Sequence, residues 1–123
     1  MILLDSCILI DISRQKQPAL DFILALDQTP SLSVVTLTEV LRGVRSTREE
    51  ALFDRLFQQW HILPTTTTEI AILAADHLKR FGSSHGMDII DAIIAATAQH
   101  HKVDFATLNI KHFPMFPGLQ RPY

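Results

Sequence analysis

The opening stretch Met1-Ile2-Leu3-Leu4-Asp5-Ser6-Cys7-Ile8-Leu9-Ile10-Asp11 decides how the chain is read. Its apolar triplet, Ile2-Leu3-Leu4, ends on an acid. It lacks the basic flank of a signal peptide, and Asp5 and Asp11 interrupt any membrane span. The triplet fits a short buried strand, and Ser6 to Ser13 fits a short helix. Asp5 therefore stands where a strand hands over to a helix. In open α/β sheets, ligands bind at that end of the strands.

Outward from this stretch the same alternation recurs. Pro18 opens a helix to about Asp27, carrying Leu20, Ile23, Leu24 and Leu26. After Thr29-Pro30, the β-branched run predicts a strand over Leu32 to Val35, then a helix from about Leu37 to Val44. Thr47-x-x-Glu50 matches a capping box and opens a helix that buries Leu52, Phe53, Leu56, Phe57 and Trp60. Ile62-Leu63 is a third strand. Thr66-x-x-Glu69 is a second box, whose helix carries Ile70, Leu73, Ala74, Leu78 and Phe81 and stops at Gly82. A helix over Asp88 to His100 and a strand over Val103 to Thr107 follow. Pro114, Pro117, Gly118 and Pro122 make an irregular tail, with a last short strand near Leu119. Short strands apolar on both faces, alternating with helices, indicate an α/β protein with a short parallel β-sheet flanked by helices on both faces. There is no repeat or linker, so residues 1–123 read as a single domain.

Composition narrows the function. The 123 residues are 47% apolar and 20% charged, and Leu and Ile together number 29. That excludes disorder and leaves enough for a core. Cys7 is the one cysteine, which excludes a disulfide framework and a cysteine-based zinc site and suits a reducing cytoplasm. With 11 Lys+Arg against 13 Asp+Glu, net −2, bulk charge alone cannot hold nucleic acid. The histidines His61, His77, His85, His100, His101 and His112 show no HxxxH spacing and read as surface or packing residues. No G-x-S-x-G is present, and four glycines leave no phosphate-cradling loop.

The acids are more informative. Asp5 ends the first strand, Thr36, Thr38 and Glu39 follow the second, and Thr107 and Asn109 follow the fourth. Asp88 and Asp91 share the start of a very apolar helix, Ile89 to Ala96, where an unpaired carboxylate is costly. Each has an ordinary explanation alone: a first-turn acid for Asp88, a capping partner of Thr36 for Glu39, an Asx-turn for Asp5. Their convergence on one sheet edge points to a site for a hard divalent cation, since carboxylates and an amide suit Mg²⁺ or Mn²⁺. Such an ion would reverse the sign of the site and let an acidic protein approach phosphates. Arg42, Arg45 and Arg48, three residues apart, form a candidate basic stripe beside that edge.

These residues resemble a known family, the PIN domain, and most closely the VapC-type toxins of prokaryotic toxin–antitoxin pairs. Leu3 to Asp11 resembles the family's "LLDTNVLID", and Ser33 to Gly43 its "S-x-x-T-x-x-E-L-x-x-G". Asp91-Ala92-Ile93-Ile94-Ala95-Ala96-Thr97-Ala98 is similar to "DALIAATA". Ala106 to Phe113, with Pro117-Gly118-Leu119, resembles "TRNVKHF…PGL". The resemblance implies a PIN-like three-layer sandwich and a Mg²⁺- or Mn²⁺-dependent endoribonuclease. It also implies a homodimer neutralised by a small cognate antitoxin. It places Asp5, Glu39, Asp91 and Asn109 at the catalytic positions, with Asp5, Asp91 and Glu39 toward metal. Asn109 replaces the Asp of many members, and Cys7 replaces the usual Asn. Ser6, Thr107, Asp88, Arg42 and Lys111 are candidate neighbours or substrate contacts. Phe53, Phe57 and Trp60 read as core before antitoxin groove. Two other classes remain. One is a non-catalytic PIN-like module that binds RNA or protein, which Asn109 favours. The other is a receiver-type signalling domain, which the sequence resembles less: Ser6, not an acid, follows Asp5, and Pro64-Thr65 follow Leu63.

Overall fold

The computed structural model describes residues 1–65 and 67–123. Each strand of the sheet is three or four residues long: β1 (Ile2–Leu4), β2 (Pro30–Ser33), β3 (His61–Leu63) and β4 (Asp104–Ala106). All pairings are parallel, in the order β3-β2-β1-β4. Parallel neighbours need crossovers, and among the described residues six helices supply them: α1 (Ser6–Ser13), α2 (Gln17–Ala25), α3 (Val34–Arg42), α4 (Thr47–Gln59), α5 (Thr68–His85) and α6 (Ile89–His101).

The two-residue period of a strand sends alternate side chains to opposite layers. Ile2 and Leu4 enter one core with Ile8, Leu9 and Ile12 of α1, Leu32 and Phe53. Leu3 and Phe105 enter the other, with Ile94, Ala95 and Ala98 of α6. A third cluster, Ile70, Ala74, Met87, Ala92 and Ala96, seals α5 against α6. The fully buried alanines of α6 let helix and sheet approach closely. Leu3 and Leu4 are wholly buried, so truncating either to Ala should cost roughly 2–5 kcal/mol. This is the layered α/β fold expected from the sequence. Among the described residues no helix is long and apolar enough to cross a membrane.

The chain steps outward from β1 through β2 to β3, then returns to the far side of β1 as β4. The order therefore reverses between β1 and β4, and a crevice opens beyond their carboxyl ends.

Several element ends differ from expectation, each for a local reason. Val34 and Val35 begin α3 rather than end β2. The Ser33 hydroxyl accepts from Thr36 N at 2.9 Å and donates to Thr36 Oγ1 at 3.0 Å, and this cap overrides the strand preference of β-branched residues. Thr36 is thus not a cap, and Glu39 lies in the second turn of α3 instead of acting as a box partner. The cap of α4 is Ser46, not Thr47. Its hydroxyl accepts from Glu49 N at 3.2 Å, and the Glu49 carboxylate reaches back to Arg45 N at 2.9 Å. Thr67 caps α5 by accepting from Ile70 N. Thr66, the predicted cap, lies outside the described residues. Gly82 does not stop α5. The helix runs to His85 and ends at Gly86, whose φ of 65° is the left-handed turn a glycine accepts at low cost. No strand forms near Leu119; a single 3-10 turn, Ile110–His112, follows β4 instead.

Ser46→Ala should lower stability by about 1 kcal/mol in urea unfolding, and Thr47→Ala by less than about 0.5 kcal/mol. The reverse order would return the cap to Thr47.

Candidate active site

Asp5 leaves β1 and becomes the N-cap of α1, with Oδ1 accepting from Ser6 N at 2.8 Å. Its other oxygen, Oδ2, accepts from the Thr107 hydroxyl at 2.7 Å. Thr107 follows β4 and is wholly buried, and its oxygen also accepts from Asn109 N at 3.0 Å. A line of hydrogen bonds thus crosses the sheet at the reversal of strand order. Cys7 doubles it. Its sulfur lies 3.7 Å from Asp5 Oδ2 and 3.8 Å from Thr107 Oγ1, and it accepts from Leu108 N at 3.4 Å. Burial, with Asp5 nearby, pushes the Cys7 thiol up to about 11.

Three acids from three elements share the crevice. Burial raises Asp5 above its ordinary 3.8, although Thr107, Ser6 and Cys7 donate to it. Glu39 on α3 is raised by burial first and then by Asp5, with Ser6 opposing and Asp91 and Asp88 adding. Asp91, in the first turn of α6, is raised by burial and then by Asp88, with Asp5 adding and His112 opposing. Asp5 perturbs both of the other acids, so the three form one repelling cluster. Glu39 Oε1 is buried and has no hydrogen-bond partner among the described residues. A buried acceptor left unmatched costs free energy, and beside two further acids it has the character of an oxygen awaiting a ligand.

The other expected residues divide. Asp88 is the N-cap of α6, accepting from Asp91 N at 2.8 Å, and is exposed, so its capping role is met. Asn109 is exposed at the rim and is tied through its backbone, not its amide. The basic stripe does not survive intact. Arg45 pairs with Glu49, and Arg48 donates to Ser13 O at 2.8 Å. Arg42 makes no ion pair among the described residues. Phe53 is buried, and Phe57 and Trp60 pack partly buried against the same core. One residue was missed: His112, whose Nδ1 lies 3.3 Å from Asp91 Oδ2. No spacing rule links His112 to Asp91. Only the turn after β4 brings them together.

Among the described residues, no three His, Cys, Asp or Glu side chains stand close enough to enclose a metal ion. Asp5 Oδ2 accepts from the Thr107 hydroxyl, and Asp91 Oδ2 lies beside His112. An all-protein cage is not what Mg²⁺ needs. It is held by one or two carboxylates with waters and substrate phosphates. The donor chemistry fits such an open site: oxygen ligands, mutual repulsion that a cation relieves, and the unmatched Glu39 Oε1.

The raised acids fix a sign. Between their ordinary and raised values the folded protein binds more protons than the unfolded chain, so stability falls as pH rises through that window. Without divalent cation, the melting temperature should therefore rise as pH is lowered from neutrality toward the carboxylate range. Asp91→Asn, measured by calorimetry at neutral pH, should melt a few degrees higher than the wild type. A lower melting point would mean that the His112 contact outweighs the repulsion.

Known proteins share this sequence pattern and fold. The sequence model of the PIN domain matches residues 2–114. Ribonuclease VapC10 of Mycobacterium tuberculosis is 36% identical over 126 residues, spanning 100% of this chain and 93% of that protein. Ribonuclease VapC19 of the same organism is 42% identical over 86 residues, 69% of this chain and 67% of that protein. A chain of a toxin–antitoxin complex from Klebsiella pneumoniae superposes with a TM-score of 0.84 at 28% identity, covering 100% of this chain and 98% of that one.

Proposed function

The chain belongs to the PIN-domain family, and from that premise we propose that it is a metal-dependent endoribonuclease, the toxin of a prokaryotic toxin–antitoxin pair. The names of its Mycobacterium relatives and the Klebsiella complex support the class of activity and the antitoxin. The observation that carries the reading is the acidic cluster at the β1/β4 reversal, with its unmatched Glu39 oxygen. The proposed working state is a homodimer in the cytoplasm. Val34 and Leu41, seven residues apart on α3 and both exposed, offer an apolar face for a second copy.

Asp5 and Asp91 would hold Mg²⁺ or Mn²⁺ directly, with Glu39 as an outer ligand. Bound there, the ion would polarise the phosphoryl oxygen and lower the pKa of an attacking water. The remaining roles belong to the chain. Thr107 donates to Asp5 and holds its carboxylate at the end of β1. Asp88 fixes the first turn of α6 and so aims Asp91. Ser6, beside Glu39, limits the rise of its pKa. With Oε1 unmatched among the described residues, Glu39 has one carboxylate oxygen free to orient the water. Asn109 keeps an oxygen at the rim without adding a further negative charge. Arg42 and Lys111 draw the phosphates and position the strand without reading it.

The test is cleavage of total RNA by the purified chain, free of antitoxin, with Mn²⁺, Mg²⁺ or EDTA. Discrete fragments should require the metal. Asp91→Asn should cut at least about 100-fold more slowly with its fold intact, and Glu39→Gln and Thr107→Val about tenfold. Mg²⁺ should also raise the melting temperature of the wild type, and far less that of Asp91→Asn. A folded Asp91→Asn that cuts at the wild-type rate would sink the assignment. Metal binding without any cutting would favour a non-catalytic RNA-binding module.

A further inference from the structure

Two cavities border the acidic cluster, built from different elements and sharing no lining residue. The first, of about 440 Å³, lies between α3 and the start of α6 and is lined by Val35, Thr38, Glu39, Arg42 and Ile90. The second, of about 320 Å³, lies between the end of α5 and the turn after β4 and is lined by Ser84, His85, Gly86, Lys111 and His112. Each is of the size that takes one small ligand. Each also adjoins the cluster through one lining residue. Glu39 belongs to it directly, and His112 touches Asp91 at 3.3 Å.

Each cavity is lined by one cation, Arg42 in the first and Lys111 in the second. Arg42 and Lys111 make no ion pair among the described residues. Arg14, Arg55, Lys79 and Lys102 also make no ion pair among the described residues, whereas Arg45, Arg48 and Lys16 are held by Glu49, the Ser13 carbonyl and Asp11; Arg42 and Lys111 are set apart by lining cavities beside the acidic cluster. In an acidic protein, two uncommitted cations beside the repelling carboxylates mark where an extended polyanion is received.

The linings differ in kind. Val35 and Ile90 give the first cavity apolar walls, with the Thr38 hydroxyl and the Arg42 guanidinium as polar contacts. The second offers Lys111, the Ser84 hydroxyl and the rings of His85 and His112. Apolar walls suit the faces of a nucleobase, and a lysine with hydroxyl and imidazole groups suits phosphate and sugar.

We propose that a single strand of RNA crosses the acidic cluster from one cavity to the other, seating one base between Val35 and Ile90 and one backbone phosphate on Lys111. The inference rests on the ribonuclease reading and deepens it. A base seated in the first cavity must leave its stack, so the substrate is single-stranded at the cut. Sequence preference belongs to the nucleotide on the Val35/Ile90 side. The nucleotide on the Lys111 side is held without selection.

The test is binding of a fluorescein-labelled octamer RNA pool to the full chain in EDTA, followed by anisotropy across a salt series. Arg42→Ala and Lys111→Ala should each weaken binding about tenfold, and each should flatten the salt dependence by about 0.7 in log–log slope. Arg55→Ala, an exposed arginine of α4 outside both cavities, should do neither. Val35→Ala and Ile90→Ala should leave the slope unchanged and relax base preference at one position of the selected pool. A blunt RNA duplex should compete at least about 100-fold more weakly than the single strand.

Unchanged affinity and slope for Arg42→Ala and Lys111→Ala would overturn the path, as would equal competition by duplex. An Ile90→Ser variant that shifts the sedimentation coefficient yet leaves RNA binding untouched would overturn it too, by making the first cavity a contact between copies. These outcomes separate from the ribonuclease reading. A chain that cuts RNA in an Asp91-dependent way while ignoring Arg42 and Lys111 loses only the path. A chain that neither binds nor cuts loses both.

Discussion

The hydrogen bond from the Thr107 hydroxyl to the Asp5 carboxylate is the interaction on which the site depends. It joins the ends of β1 and β4 across the one place where strand order reverses. Its two residues lie about a hundred positions apart in the chain, so it is formed only when the sheet is complete. Because both groups are buried, the bond works in a low dielectric, where a matched polar pair is firm and an unmatched one is costly. The backbone of Asn109 and the sulfur of Cys7 add to it. The carboxylate is thereby fixed before anything binds, which is the preorganisation a reacting site requires.

The same arrangement opposes stability. Burial raises the proton affinity of Asp5, Glu39 and Asp91, Asp5 adds to that of the other two, and Glu39 Oε1 is buried without a partner among the described residues. The two cores carry this burden. The strands are buried on both faces, and the alanines of α6 allow dense packing behind the acids. Local conflict at a ligand site, offset by consistent packing elsewhere, is the common division in functional proteins.

Much of this was legible in the residues, and the misses have physical causes. Ile2-Leu3-Leu4 and the apolar α6 announced a doubly covered parallel sheet, because only burial on both faces tolerates such runs. The acids at strand ends were readable because the sheet topology converts chain position into spatial position. The caps of α4 and α3 were misplaced where hydroxyl residues lie close together: Ser46 beside Thr47, and Ser33 three residues before Thr36. Sequence spacing cannot choose between neighbours when each can cap. Val34-Val35 misled because a serine cap outweighs the preference of two β-branched residues. Gly82 resembles a stop in the sequence, but Gly86 supplies it, since the second glycine is the one at a positive φ. His112 was invisible because its partner lies on another element, and the spared Arg42 emerged only once Glu49 and the Ser13 carbonyl were seen to occupy its neighbours.

Cys7 carries a consequence for which ions the site can admit. A thiol beside three carboxylates could recruit soft, thiophilic metals such as zinc or cuprous copper, which outcompete magnesium for sulfur. To do so it would have to give up its proton, and its acidity is suppressed to about 11 by the burial and negative charge around it. At neutral pH the sulfur stays a weak hydrogen-bonding group and a poor target for oxidants. A soft metal would have to displace that proton, so burial and the charge of Asp5, an acid placed to receive the hard ion, raise the cost of admitting it.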